Sequence, residues 1–197
     1  MKKTFLFPLI LFYLCSFSQT PEEFLKNQCE HFTDGKGATY GIKMKLNIPC
    51  TWDSTKDSRT YLVNGFSYDV PDSGRLACAV TITKPNPNNK KEDEKNIFKK
   101  EWVGNAFKTI GDLISVKEVD IDAHKWAEYT FMKSINAPQG EIHQIAVSYY
   151  IIYKGVGIMV AYKTMSTDIT IGALLFITYV EMFKTLASSI HIYNFWQ

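Results

Sequence analysis

This 197-residue sequence predicts an α+β domain, a mostly antiparallel sheet covered by helices. Three observations carry that expectation. Several segments alternate apolar and polar residues at a period of two, the signature of half-buried strands. The turns between them are too short to hold the crossover helix that parallel strands need. Two other segments, around 98–110 and 171–190, place apolar residues at steps of three and four, which makes helical stripes wide enough to cover a sheet.

The chain opens with Lys2 and Lys3 followed by an apolar run from Phe5 to Leu14 and the small residues of Ser16-Phe17-Ser18. This is the pattern of an export signal cleaved before Gln19. Cys15 follows Tyr13-Leu14 rather than the small residue that lipoprotein processing requires, so it is expected to leave with the signal. The expected division is a signal peptide at 1–18, a helix and linker at 19–38, and one domain at 39–197. Removing two lysines leaves 20 basic residues against 20 acidic ones, a formal charge of zero. The sequence thus makes no electrostatic case for nucleic acid or an anionic membrane, and no membrane span is expected after signal removal.

Within the mature chain, Thr20, Pro21 and Glu23 form a capping box that starts a helix expected to reach about His31, with Phe24, Leu25 and Phe32 as anchors. Asp34-Gly35-Lys36-Gly37 then breaks the chain. Tyr40, Ile42, Met44, Leu46 and Ile48 alternate with Lys43, Lys45 and Asn47 in a first strand ended by Pro49. Arg59 to Val70 and Leu76 to Thr83 read as the second and third strands of an antiparallel meander. After the Pro85–Asn89 loop, Phe98, Trp102, Ala106 and Ile110 mark a helix, with Val103 and Phe107 beside the stripe. Ser115 to Ile121 and Lys125 to Met132 form a hairpin, as do Ile142 to Tyr153 and Gly157 to Thr164. A last helix begins at Thr167-Asp168, and Glu181 and Lys184 interrupt its apolar run, so it is read as packing on the sheet. Ile42, Met44, Leu46, Val80 and Ile82 are expected to meet Trp102, Phe107, Phe183 and Leu186 across one sheet face.

The order of elements resembles the Mog/PsbP-like fold. The residues that carry the resemblance are the strand ending Leu46-Asn47-Ile48-Pro49 with Trp52 behind it, and the closing helix ending Phe183-Lys184-Thr185-Leu186-Ala187-Ser188-Ser189-Ile190. It spans about Tyr40 to His191. The resemblance implies an α/β/α sandwich and a lean toward non-catalytic binding or assembly.

Chemistry-bearing motifs are absent from the sequence: it has no phosphate loop, no nucleophile elbow and no paired-cysteine metal spacing. No cofactor, catalytic residue or metal site is assigned. Glu141 and His143 share a strand face, and Asp122, His124 and Glu128 cluster around a turn, but each set reads as ordinary surface or turn chemistry. The candidate ligand or partner surface is aromatic: Trp52, Trp126, Tyr129, Tyr149, Tyr150 and Tyr153. Tyr149 and Tyr153 face one side of their strand and Tyr150 the other.

Three cysteines remain after signal removal. In a three-strand meander, Cys50 and Cys78 fall at opposite ends, about 15 Å apart at roughly 3.3 Å per residue, beyond disulfide reach. Cys29 is then the remaining partner for Cys50, and Cys78 is a buried thiol. The function expected is an exported, periplasmic or secreted, non-catalytic binding or assembly module, acting on an envelope protein or a small ligand. A small-ligand carrier or hydrolase, with a pocket assembled from distant residues, is the alternative.

Overall fold

The computed structural model describes residues 19–55, 62–83, 91–138 and 140–193. The export signal, the start of the expected second strand at Arg59 and the Pro85–Asn89 loop lie outside these residues.

A seven-stranded antiparallel sheet forms the centre, in the order β3-β4-β5-β9-β8-β7-β6. Its strands are β3 (Asp53–Thr55), β4 (Leu62–Val70), β5 (Gly74–Ile82), β6 (Asp112–Ile121), β7 (His124–Ala137), β8 (Gly140–Tyr153) and β9 (Val156–Ser166). Both predicted hairpins are present. Each closes through two residues at positive φ, Asp122-Ala123 at 51° and 59° and Lys154-Gly155 at 51° and 78°, the backbone geometry that matches strand twist. The β4–β5 connection needs Gly74, at φ 144°, because a Cβ there would lie 2.1 Å from the carbonyl oxygen of Met165.

One face of this sheet is covered by α4 (Ile169–Ala187), capped by Asp168, whose carboxylate accepts from the amides of Thr170 (2.7 Å) and Ile171 (3.1 Å). The helix is long and apolar enough to cross a membrane by length and composition, yet its inner face, with Leu175, Tyr179, Met182, Phe183 and Leu186, is buried in the main core. The short helices α2 (Lys91–Asn96) and α3 (Lys100–Ala106) cover the opposite face. This is the α+β layering expected from the period changes, in the α/β/α form that the resemblance implies.

Several expectations are corrected. The helix started by the Thr20 capping box is only α1 (Pro21–Lys26), and the chain then extends as β1 (Gln28–Phe32). β1 pairs with β2 (Met44–Pro49), and β10 (His191–Ile192) pairs with the other edge of β2, forming a separate three-stranded sheet. The first predicted strand is therefore not part of a meander with β4 and β5. Its partners come from both ends of the described chain, which local periodicity cannot reveal. Cys29 is bonded to Cys50, with Cα atoms 4.9 Å apart, and Cys78 is a buried free thiol. The expected pairing stands, although the meander that argued for it does not. Phe24 is 1% exposed and packs edge-on to Trp52 and Tyr68, so the 19–38 segment contributes to the core.

Of the helical stripe at 98–110 only α3 (Lys100–Ala106) is helical, and Ile110 is left 37% exposed. Trp102 and Phe107 do not meet Ile42 or Leu46. They belong to a second core with Tyr129, Phe131 and Tyr150, across the sheet from the main core of Ile42, Met44, Leu46, Val80, Ile82, Phe183 and Leu186.

Candidate functional site

The predicted aromatic surface does not form. Trp126 and Tyr129 are fully buried, while Tyr149 (2%), Trp52 (6%) and Tyr150 (8%) are nearly so. The reason is that both sheet faces are covered. Trp52, Trp126 and Tyr149 sit in the main core, and Tyr129 and Tyr150 lie under the short helices with Phe107. Burial pushes the Tyr129 and Tyr149 phenols well above their ordinary range, with Tyr150 adding to the first and the Glu128 carboxylate to the second. Only Tyr153 remains partly accessible.

Tyr153 leads to a cleft that periodicity could not indicate, because three segments far apart in sequence meet there. β10 runs beside β2, and the next bond of that ladder, from the Tyr193 amide to the Lys43 carbonyl (2.9 Å), sets Tyr193 next to Lys43. The loop before β2 folds over itself: the Thr33 hydroxyl donates to the Ile42 carbonyl (2.8 Å) and accepts from the Met44 amide (2.8 Å), while the Gly41 amide donates to the Gly35 carbonyl (3.1 Å). The β8–β9 turn supplies Tyr153 and Lys154. Together they enclose about 280 Å³, lined by Gly35, Gly41, Ile42, Lys43, Tyr153, Lys154, Ile192 and Tyr193.

Two features hold this lining in place. Gly35 sits at φ 77°, and a Cβ on it would come within 2.9 Å of Lys43 Cγ, so its bare backbone leaves room for the lysine stem. Asp122, in the β6–β7 turn, accepts from the Ile192 amide (2.8 Å) through Oδ2 and meets His191 Nδ1 through Oδ1. His191 in turn stands edge-on to Tyr193 (4.6 Å), and His124 edge-on to Tyr153 (5.4 Å). Asp122 and His124 thus brace the walls of the cleft. Glu128, the third member of that sequence cluster, is buried opposite Tyr149 on the next strand and does not join them.

Among the described residues, Lys43 and Lys154 are the charged groups that line the cleft, with Asp122 on the neighbouring His191 and Ile192. Lys154 Nζ lies 5.5 Å from the centre of the Tyr153 ring, within cation–π range. Lys45, on the same side of β2 as Lys43, is bound to Glu30 at 2.8 Å, which raises its pKa, and the Tyr193 phenol contributes to that rise.

A second hollow of about 390 Å³ lies between the β4–β5 turn and the end of β9. It contains Asp69, Asp72 and Arg75, and the Arg75 guanidinium is already held by both Asp69 oxygens. Arg75 is thereby neutralised by Asp69. Glu141 and His143 share a face as expected, 4.0 Å apart, with His143 also bonded to Ser134 at 2.8 Å. Among the described residues, no three His, Cys, Asp or Glu side chains converge as a metal site.

No known protein-family profile and no curated protein sequence matches this chain. The solved structure of a Mog1 point mutant superposes with a TM-score of 0.50 at 7% identity, covering 84% of this chain and 95% of that one. The fold is the Mog/PsbP-like sandwich. Two further Mog/PsbP-like matches have TM-scores of 0.49. They are the cyanobacterial PsbP of Synechocystis sp. PCC 6803 (15% identity, 85% of this chain, 93% of that one) and LpqN of Mycobacterium tuberculosis (11%, 90% and 99%). At such identities the likeness concerns the Mog/PsbP-like fold alone.

Proposed function

We propose that this chain is an exported, non-catalytic binding module of the cell envelope, with the cleft between the 35–43 loop, the β8–β9 turn and β10 as its ligand site. The apolar leader with its basic head supports export, as does the Cys29–Cys50 disulfide, a bond suited to an oxidising compartment. The observation that carries the reading is the lining of the cleft. It brings two lysines and two tyrosines together over buried Ile42 and Ile192. Apolar walls with a few polar groups suit retention of a small ligand.

A second reading, assembly with an envelope protein, draws on α4, whose outer face leaves Leu174 64% and Ile177 70% exposed. Native mass spectrometry of the protein isolated from its own envelope separates the two. A bound mass of a few hundred daltons supports the cleft. A stoichiometric protein partner, with no small adduct, would move the function to the α4 face.

A further inference from the structure

We infer that the processed chain carries a cyclised end: the α-amine of Gln19 closes on its own side-chain amide to give pyroglutamate, with the Thr51 hydroxyl on the oxygen where charge develops. This rests on the export reading, with cleavage before Gln19, and is independent of the cleft. Cleavage there leaves a glutamine first, and a terminal glutamine holds an amine and an amide carbonyl that can join in a five-membered ring.

The fold holds this residue from three sides. Its side-chain Oε1 accepts from the Thr51 hydroxyl (2.9 Å), its backbone carbonyl accepts from the Tyr179 hydroxyl on α4 (2.8 Å), and the next amide, that of Thr20, donates to the Glu23 carboxylate (2.8 Å). Each anchor is itself fixed. Thr51 lies in the turn closed by the Trp52 amide on the Pro49 carbonyl (3.0 Å), beside the Cys29–Cys50 bond, and Tyr179 is buried against Phe24. Gln19 keeps partial exposure and Thr51 is exposed, so a small leaving group has a way out to solvent.

The step is intramolecular. The uncharged amine, about a tenth of the population at neutral pH, attacks Cδ. The ring C–N bond forms, Oε1 takes up negative charge, and the bond from Cδ to the amide nitrogen breaks. That nitrogen leaves as ammonia with the proton that the amine gives up, and no oxidant, water or cofactor is consumed. A donor already on Oε1 gains strength as that oxygen becomes negative, so Thr51 favours the intermediate over the starting amide. After ring closure the same oxygen is the lactam carbonyl and remains an acceptor for the hydroxyl. The product has lost the terminal positive charge and the free amine on which aminopeptidases act.

The exported protein should weigh about 17 Da less than the chain that starts at Gln19, the mass of the ammonia lost. N-terminal sequencing should stay blocked until pyroglutamyl aminopeptidase removes the first residue. Rates come from the mature chain freshly released from a cleavable fusion that leaves Gln19 first. There Thr51→Val should slow the mass loss about fivefold, the size of one hydrogen bond, and Thr51→Ser should keep the parent rate. In denaturing urea, parent and variants should cyclise at one common, slower rate. Unaltered thermal midpoints would show that the variants fold.

An exported chain that starts at Gln19 with a free amine would overturn the inference and leave the export reading standing. One shared rate for the parent and both folded variants would overturn the role of Thr51. A mature chain beginning at any other residue would overturn the inference and the cleavage reading together.

Discussion

Replacing Cys29 and Cys50 together with Ala removes the only covalent constraint on β1 among the described residues, and its effect can be sized. The bond closes a loop of sequence separation 21, which restricts the unfolded chain by about 3 kcal/mol in the loop-entropy account. The native contacts around it should persist, because β1 stays paired with β2 from Gln28↔Pro49 to Phe32↔Lys45, and the Cys50 amide donates to the Asn27 carbonyl at 2.9 Å. Phe24 also remains packed against Trp52 and Tyr68. Urea titration followed by tryptophan fluorescence should therefore show a stability loss of about 3 kcal/mol with a slope equal to or slightly above the parent's, as the unfolded chain loses its cross-link. A loss below about 0.5 kcal/mol would refute the argument, since the bond would then constrain nothing the unfolded chain lacks. A markedly lower slope would show that β1 had detached in the native state.

Further expectations test the cores and the cleft wall. Leu46→Ala and Phe183→Ala should each cost about 2 to 5 kcal/mol in denaturant titration, both side chains being fully buried, whereas Lys45→Ala should leave the midpoint nearly unchanged. Equal harm from the Lys45 change would mean the register of β2 is inverted. Burial lowers the pKa of His31, so the unfolded chain takes up the proton first; the His31 contribution is present above about pH 6.5 and is lost as pH falls below it. His31→Gln should flatten the acid limb of the stability curve, and an unaltered limb would contradict this. Burial pushes the Cys78 thiol up, so it should resist alkylation at neutral pH until the protein unfolds, and rapid native labelling would contradict its placement. Asp122→Ala should speed hydrogen exchange at the Ile192 amide, and unchanged protection would show that Asp122 does not hold β10.

What was legible in the sequence was local. Thr20 and Glu23 announce a capping box that the structure contains, and turn-prone pairs between alternating runs announce both long hairpins. The failures share a cause, which is that they depend on partners distant in sequence. Gln28 to Phe32 is short and mostly polar, and it becomes a strand because β2 and the disulfide offer it an edge. The stripe from Phe98 to Ile110 has helical spacing, but tertiary contacts keep only its Val103 turn fully buried. The aromatics were conspicuous in composition, yet composition cannot tell a ring that faces solvent from one beneath a helix. Of the cleft, Tyr153 alone was singled out. Lys43, Lys154 and Tyr193 look like ordinary strand and turn residues until the fold brings them together.

The most direct test of a binding cleft is the crystal structure of the protein isolated from its own envelope without added ligands. The account predicts density for one compact molecule between Lys43, Lys154 and the rings of Tyr153 and Tyr193. A cleft holding only water, with a protein partner seated over Leu174 and Ile177 on α4, would contradict it.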